Sequence, residues 1–193
     1  VQTTTTQQVS IANEAAVSTT SSGTSVSQAT AAASSSQNQS KYEANVASVA
    51  GKMDNRVIAA YQQLGFKIVV DPSVNYSGYF DARSRSITMK QIDDSVYHEL
   101  GHFLAFIAGN VDKTASFQSI FAAEKANVTA FNKAYVTQNA SEYFAESVKD
   151  YILNNASLKS TRPQTYAAVQ NALNQITDAQ IAKIQKIYGA FWN

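Results

Sequence analysis

The 193-residue chain contains no cysteine and only two histidines, His98 and His102. The first absence excludes disulfide scaffolds, thiolate metal sites, iron–sulfur clusters and cysteine nucleophiles. The second means that any histidine-dependent chemistry must use one of those two rings. Charge is also scarce: 15% of residues are charged and the formal net charge is +1. Nucleic-acid-binding domains carry a basic excess, so no nucleic-acid partner is expected. No apolar run approaches the roughly 20 residues that a membrane-spanning helix needs.

Residues 1–40 have no aromatic side chain and a single charge, Glu14, whereas 18 of the 40 are Ser or Thr and six are Gln. Such a segment cannot bury enough apolar surface to offset the entropy of ordering. It is expected to be a disordered Ser/Thr/Gln-rich tail or linker. Residues 41–193 hold all 20 aromatics and are expected to form one folded domain. A start at Val1 suggests a processed product, and from the Ser/Thr-rich tail a secreted or cell-surface protein, of bacterial type, is expected.

Within the domain, Val46, Val49, Met53, Val57 and Tyr61 fall three and four apart. This predicts one helix over 41–64, capped by Ser40 with Glu43 three residues on, and stopped by Gly65. Phe66–Val70, ended by Asp71-Pro72, predicts a strand. Tyr79–Asp81 and Ser86–Met89 predict a hairpin around Ala82–Arg85. Further helices are predicted from about Asp94 to Gly109-Asn110, over 113–126, from a Ser141 cap to about Leu153, over 163–175 behind Pro163, and from Thr177-Asp178 to about Tyr188. Residues 127–140 are less regular. The fold class is α+β, mostly helical with a small sheet.

Residues 98–102 read His98-Glu99-Leu100-Gly101-His102, an H-E-x-x-H string inside a predicted helix. Residues four apart lie on one helix face, so two imidazoles converge on one metal ion and Glu99 can reach an attacking water. With two His and six Glu in 193 residues, chance would produce this arrangement in about 3 of 10,000 sequences. The bland alternative is a pair of hydrogen-bonded histidines on an amphipathic helix.

A catalytic zinc site needs a third protein ligand. With no further His and no Cys, it must be an oxygen donor. The downstream carboxylates are Asp112, Glu124, Glu142, Glu146, Asp150 and Asp178. The string Ser141-Glu142-Tyr143-Phe144-Ala145-Glu146-Ser147 puts two carboxylates on one partly apolar helix face. That is unfavourable unless they are paired or coordinating. Spacing leaves two arrangements open. Either Glu142 is the ligand and Glu146 orients a ligand histidine, or the roles are reversed, with Asp150 supporting Glu146.

The H-E-L-G-H string, Phe117–Glu124, Tyr135, Glu142-Tyr143-Phe144-Ala145-Glu146 and Arg162–Tyr166 together resemble the anthrax-toxin lethal-factor-like metallopeptidases, a group that includes the bacterial Pro-Pro endopeptidases. The resemblance spans roughly residues 66–190. It implies a zincin-like fold with a small twisted sheet and an active-site helix carrying His98–His102. It implies one Zn2+ per chain held by His98, His102 and Glu142, with Glu146 supporting them. It also implies Glu99 as general base and Tyr135 as donor to the oxyanion. Zincins bind extended peptides by strand addition, and the expected edge is the strand before the active helix: Ser86, Ile87, Thr88, Met89 and Lys90.

The expected function is a secreted zinc endopeptidase acting on a peptide or protein substrate, with proline-rich sites as one option, in a monomer. The competing reading is a non-catalytic cell-surface or adhesion module in which a zinc site is structural and the Ser/Thr-rich segment is a stalk.

Overall fold

Strand alternation decides how the sheet faces. In a computed structural model that describes residues 40–192, Ile68 and Val70 of β2 (Lys67–Val70) and Ile87 and Met89 of β4 (Ser86–Met89) are buried, and the residues between them turn to the other face. The sheet has the order β1-β2-β4-β3, with β1 at Tyr42–Ala44 and β3 at Gly78–Asp81. β2 and β4 are parallel; the two outer pairs are antiparallel. The hairpin is present as expected, but Ser86–Met89 is not an edge. β4 is paired on both sides, so the open edge beside it belongs to β3.

Residues 41–64 are not one helix. Tyr42–Ala44 pairs with β2, and Glu43 accepts from Lys67 Nζ at 2.7 Å instead of joining a capping box. Asn45 then caps α1 (Val46–Val49), and Asp54 caps α2 (Asn55–Gln63) by accepting the Arg56 N–H. The predicted apolar stripe still faces inward: Val46, Met53, Val57 and Tyr61 are buried. The stripe survives because two short helices in series keep the same side toward the core.

The remaining elements are α3 (Ser95–Ile107), α4 (Ala115–Glu124), α5 (Lys133–Val136), α6 (Ala140–Leu153), α7 (Asn155–Thr161), α8 (Pro163–Asn174) and α9 (Asp178–Trp192). The chain is therefore α+β. The expected tail over 1–40 lies, apart from Ser40, outside the described residues. No helix among the described residues is long and apolar enough to cross a membrane.

α3 is the central element, with every residue from Val96 to Ile107 except His102 buried. One side meets the sheet through an aromatic cluster: Phe103 lies edge-on to Tyr61 and Phe66, each 4.9 Å away, and Phe66 stacks on Phe80 of β3 at 5.9 Å. Trp192 of α9 joins this cluster and donates its indole N–H to the Ala82 carbonyl in the hairpin turn at 2.9 Å. Arg85, at φ 52°, lays its guanidinium over the same indole and donates to the Trp192 and Leu64 carbonyls. The hairpin tip is thus fastened to α9.

The other side of α3 meets α6 at backbone contact. A Cβ on Gly101 would lie 2.7 Å from both the Cα and the carbonyl oxygen of Ala145. Gly101→Ala is therefore expected to destabilise the fold by about 1–3 kcal/mol through overpacking. Gly189, in α9, has open space where a Cβ would go, so Gly189→Ala is expected to stabilise by about 0.5–1 kcal/mol. Urea denaturation of the two variants beside the parent checks both signs.

Candidate metal centre

Two capped helices present the site. Asp93 accepts the Ser95 N–H at the start of α3, and the four-residue spacing within that helix places His98 and His102 one turn apart. α6 is capped by Asn139, not by Ser141 as expected. Asn139 is extended and accepts the N–H of Glu142, while the Ser141 hydroxyl donates to Asp112 at 2.6 Å. Glu142 and Glu146 then stand one turn apart, facing α3.

At the crossing, His98 Nε2 lies 3.1 Å and His102 Nε2 3.6 Å from Glu142 Oε2. One ligand atom from each of His98, His102 and Glu142 lies within 4.8 Å of the others. An ion with four ligands at about 2.0–2.1 Å keeps them about 3.3–3.4 Å apart, so two imidazoles and a carboxylate at these separations fit a divalent cation. Glu146 Oε2 accepts from His98 Nδ1 at 2.9 Å, which aims His98 Nε2 at the cluster, and Lys149 donates to the other Glu146 oxygen at 3.3 Å. The structure therefore puts Glu142 with both histidines and Glu146 behind one of them.

The charges are tightly coupled. Burial disfavours a charged His98, but the bonds to Glu142 and Glu146 outweigh it and raise its pKa to about 10. Burial likewise pushes Glu142 up, yet the bonds from His102 and His98 hold its carboxyl well below the usual range. Glu146 is lowered in the same way, by His98 and then Lys149.

Glu99, also buried, is raised by its burial, with the neighbouring imidazoles and the Phe80 N–H pulling it partly back. Its carboxylate lies against β3: a Cβ on Gly78 would be 2.6 Å from Glu99 Oε1. Lys90 N–H bonds the Ser77 carbonyl, and this register turns the backbone groups of Gly78 and Phe80 away from β4, toward the open edge. Tyr135, on α5, lies with its ring 6.4 Å from that of His98. Burial and then the charge of Glu142 raise its pKa, so the hydroxyl keeps its proton and remains a donor.

The other downstream carboxylates have different partners. Asp112 accepts from Ser141, Glu124 accepts from the N–H groups of Gln164 and Thr165 at the start of α8, Asp150 pairs with Arg162, and Asp178 opens α9. Sequence reasoning missed Gly78, Gly101, Asn139 and Lys149. A glycine inside a helix was a visible signal at Gly101; the others depend on contacts between distant segments.

Residues 73–172 match the family described as anthrax toxin lethal factor, N- and C-terminal domain. A 78-residue stretch is 41% identical to the Pro-Pro endopeptidase of Clostridioides difficile (strain 630), covering 38% of this chain and 34% of that protein. The match thus spans about a third of that relative's length.

Removing the support behind His98 should weaken metal binding. Glu146→Gln is expected to lower metal affinity about 10–100-fold in chelator competition. A protonated His98 must give up its proton to become a ligand. Metal uptake below the His98 pKa of about 10 should therefore release about one proton from this residue, and affinity should climb as pH rises toward that value. Calorimetric titration in buffers of different ionisation enthalpy checks the proton count.

Proposed function

This chain belongs to the anthrax toxin lethal factor family, a group that includes Pro-Pro endopeptidases, and from that premise we propose that it is a zinc-dependent endopeptidase. The carrying observation is the convergence of His98, His102 and Glu142, with Glu99 buried beside them. Residues 41–193 are the catalytic domain in this reading, a zincin-like arrangement with the metal ligands on α3 and α6. The protein acts as a monomer, outside a bacterial cell.

Zinc held by His98, His102 and Glu142 would polarise a carbonyl and lower the pKa of water. Glu99 takes a proton from the water that attacks the scissile carbonyl carbon. It returns that proton to the amine nitrogen as the C–N bond breaks. Its raised basicity and its fixed place against Gly78 suit both transfers. Tyr135 donates a hydrogen bond to the oxyanion that develops on the carbonyl oxygen. Glu146 and Lys149 hold His98 in its ligating orientation.

The substrate is an extended peptide that adds to the open edge of β3, using the outward backbone groups of Gly78 and the Phe80 carbonyl, the Phe80 N–H being engaged by Glu99. This replaces Ser86–Lys90, whose strand has no free side. The matched relative's name makes proline-rich peptides the first to try.

Glu99→Gln should keep about one zinc per chain yet lose about 10²–10⁴-fold in peptide hydrolysis. Tyr135→Phe should lose about 10²–10³-fold in kcat, again with zinc retained. Elemental analysis and cleavage assays on a proline-rich peptide library measure both. A natively folded protein that takes up no zinc would sink the proposal. Zinc bound with equal activity in the parent and Glu99→Gln would remove Glu99 from its role.

A further inference from the structure

Gly78, Tyr79 and Phe80 are the residues of β3 beside Glu99. A Cβ on Gly78 would meet the Glu99 carboxylate, and the Phe80 N–H bonds that carboxylate. Side chains alternate along a strand, so Gly78 and Phe80 face α3, whereas Tyr79 faces the other side of the sheet with Thr88 as its partner on β4. Gly78 has no side chain to offer, and the Phe80 ring is packed against Phe66, Phe103 and Phe106. The Tyr79 ring is partly exposed and stands outside that cluster.

The space on the β4 side of Tyr79 is already taken. The Tyr76 ring lies 5.9 Å from that of Tyr79, tilted by 58°, and its hydroxyl reaches the Thr88 side chain. Burial raises the pKa of both phenols, and the Glu99 carboxylate is near enough to raise them further, so both rings stay uncharged. The other carboxylates nearby are engaged. Asp71 accepts from the Ser73 N–H and pairs with Lys41, and Asp81 accepts from the Arg83 N–H and the Ser84 hydroxyl. What remains at this edge is an aromatic surface without a free charge.

A strand added to the open side of β3 turns its side chains alternately to the same two faces. One substrate side chain then stands beside Tyr79, with Cβ atoms about 4.5–5.5 Å apart. The cut lies close to this pair, because Glu99 touches β3 on both sides of Tyr79. A general base works within about 3 Å of its water, and the water within about 3–3.5 Å of the carbonyl carbon. At about 3.3 Å per residue, that reach covers two residues of extended peptide.

We infer that Tyr79 is a specificity-determining residue, whose ring packs against an apolar side chain of the bound peptide, on the sheet face turned away from α3 and within two residues of the scissile bond. The inference rests on the peptidase reading above and deepens it. The backbone bonds of a strand edge hold any sequence, so selectivity comes from the side chains that flank it. Of the three β3 residues beside Glu99, Tyr79 is the one with a side chain left to supply it, and aromatic–apolar cross-strand pairs are favourable ones.

The test uses Tyr79→Ala, the strand-favouring Tyr79→Thr, and Tyr79→Phe. Denaturation midpoint and zinc content identify the variants that keep the fold and the metal. Cleavage-site profiling of a peptide library by the parent should show an apolar preference at one position within two residues of the cut. Tyr79→Ala and Tyr79→Thr should lose that preference, with kcat/KM on preferred peptides falling about tenfold, mostly through KM. Tyr79→Phe, which keeps the ring, should retain it. Profiles and kcat/KM unchanged in a folded, zinc-loaded Tyr79→Ala or Tyr79→Thr would overturn the inference, as would a parent that prefers a charged residue at that position; either result leaves the peptidase reading in place. A zinc-loaded parent that cuts no peptide would overturn the peptidase reading, and this inference with it.

Discussion

Where α3 crosses α6, the backbone of Ala145 occupies the space that a side chain at position 101 would need. Helices separated by ordinary side chains sit about 8–10 Å apart. This closer crossing lets the His98 imidazole on one helix reach both carboxylates on the other, Glu146 at 2.9 Å and Glu142 at 3.1 Å. Those contacts make the electrostatics tolerable. Glu142 and Glu146 are both buried, and a buried carboxylate without a positive or metal partner is strongly disfavoured. Here each faces His98, and Lys149 completes the set. The missing Cβ, the buried charges and the metal-binding geometry are one arrangement.

A second missing side chain governs the other wall. Gly78 lets β3 approach Glu99 so closely that a methyl group would collide with the carboxylate. The strand edge and the helix residue are thereby fixed relative to one another. The far end of the same hairpin is fastened to α9 through Trp192 and Arg85. β3 is thus located at both ends, by a glycine at one and by an indole–carbonyl bond at the other, although its outer side has no neighbouring strand.

Much of this was legible in the sequence, and the failures have physical causes. The His98–His102 spacing sufficed to place both rings on one face, because helical periodicity is local. Periodicity also placed Glu142 and Glu146 on one face but left open which stands nearer the histidines; that depends on the α3–α6 crossing. The single helix over 41–64 was wrong because a stripe of apolar residues reads the same across a break. Asn45 and Asp54, which cap the two pieces, look like ordinary polar positions on an amphipathic helix. α7 escaped notice because Leu158 alone among its residues is buried, so it carries no stripe. The edge was misassigned because β4 inserts between β2 and β3, an order that only long-range pairing decides. Asn139 outcompeted Ser141 as a cap because the Ser141 hydroxyl is taken by Asp112.

The ligand cluster has a mechanical consequence as well. His98 and Glu142 are 44 residues apart in the chain and belong to different helices. An ion shared between them would bind the folded chain and not the unfolded one, tying the two ends of the intervening segment together. In a chain without cysteine, such an ion would be a staple that chelation removes and metal restores, so metal supply would set resistance to unfolding and to proteolysis together.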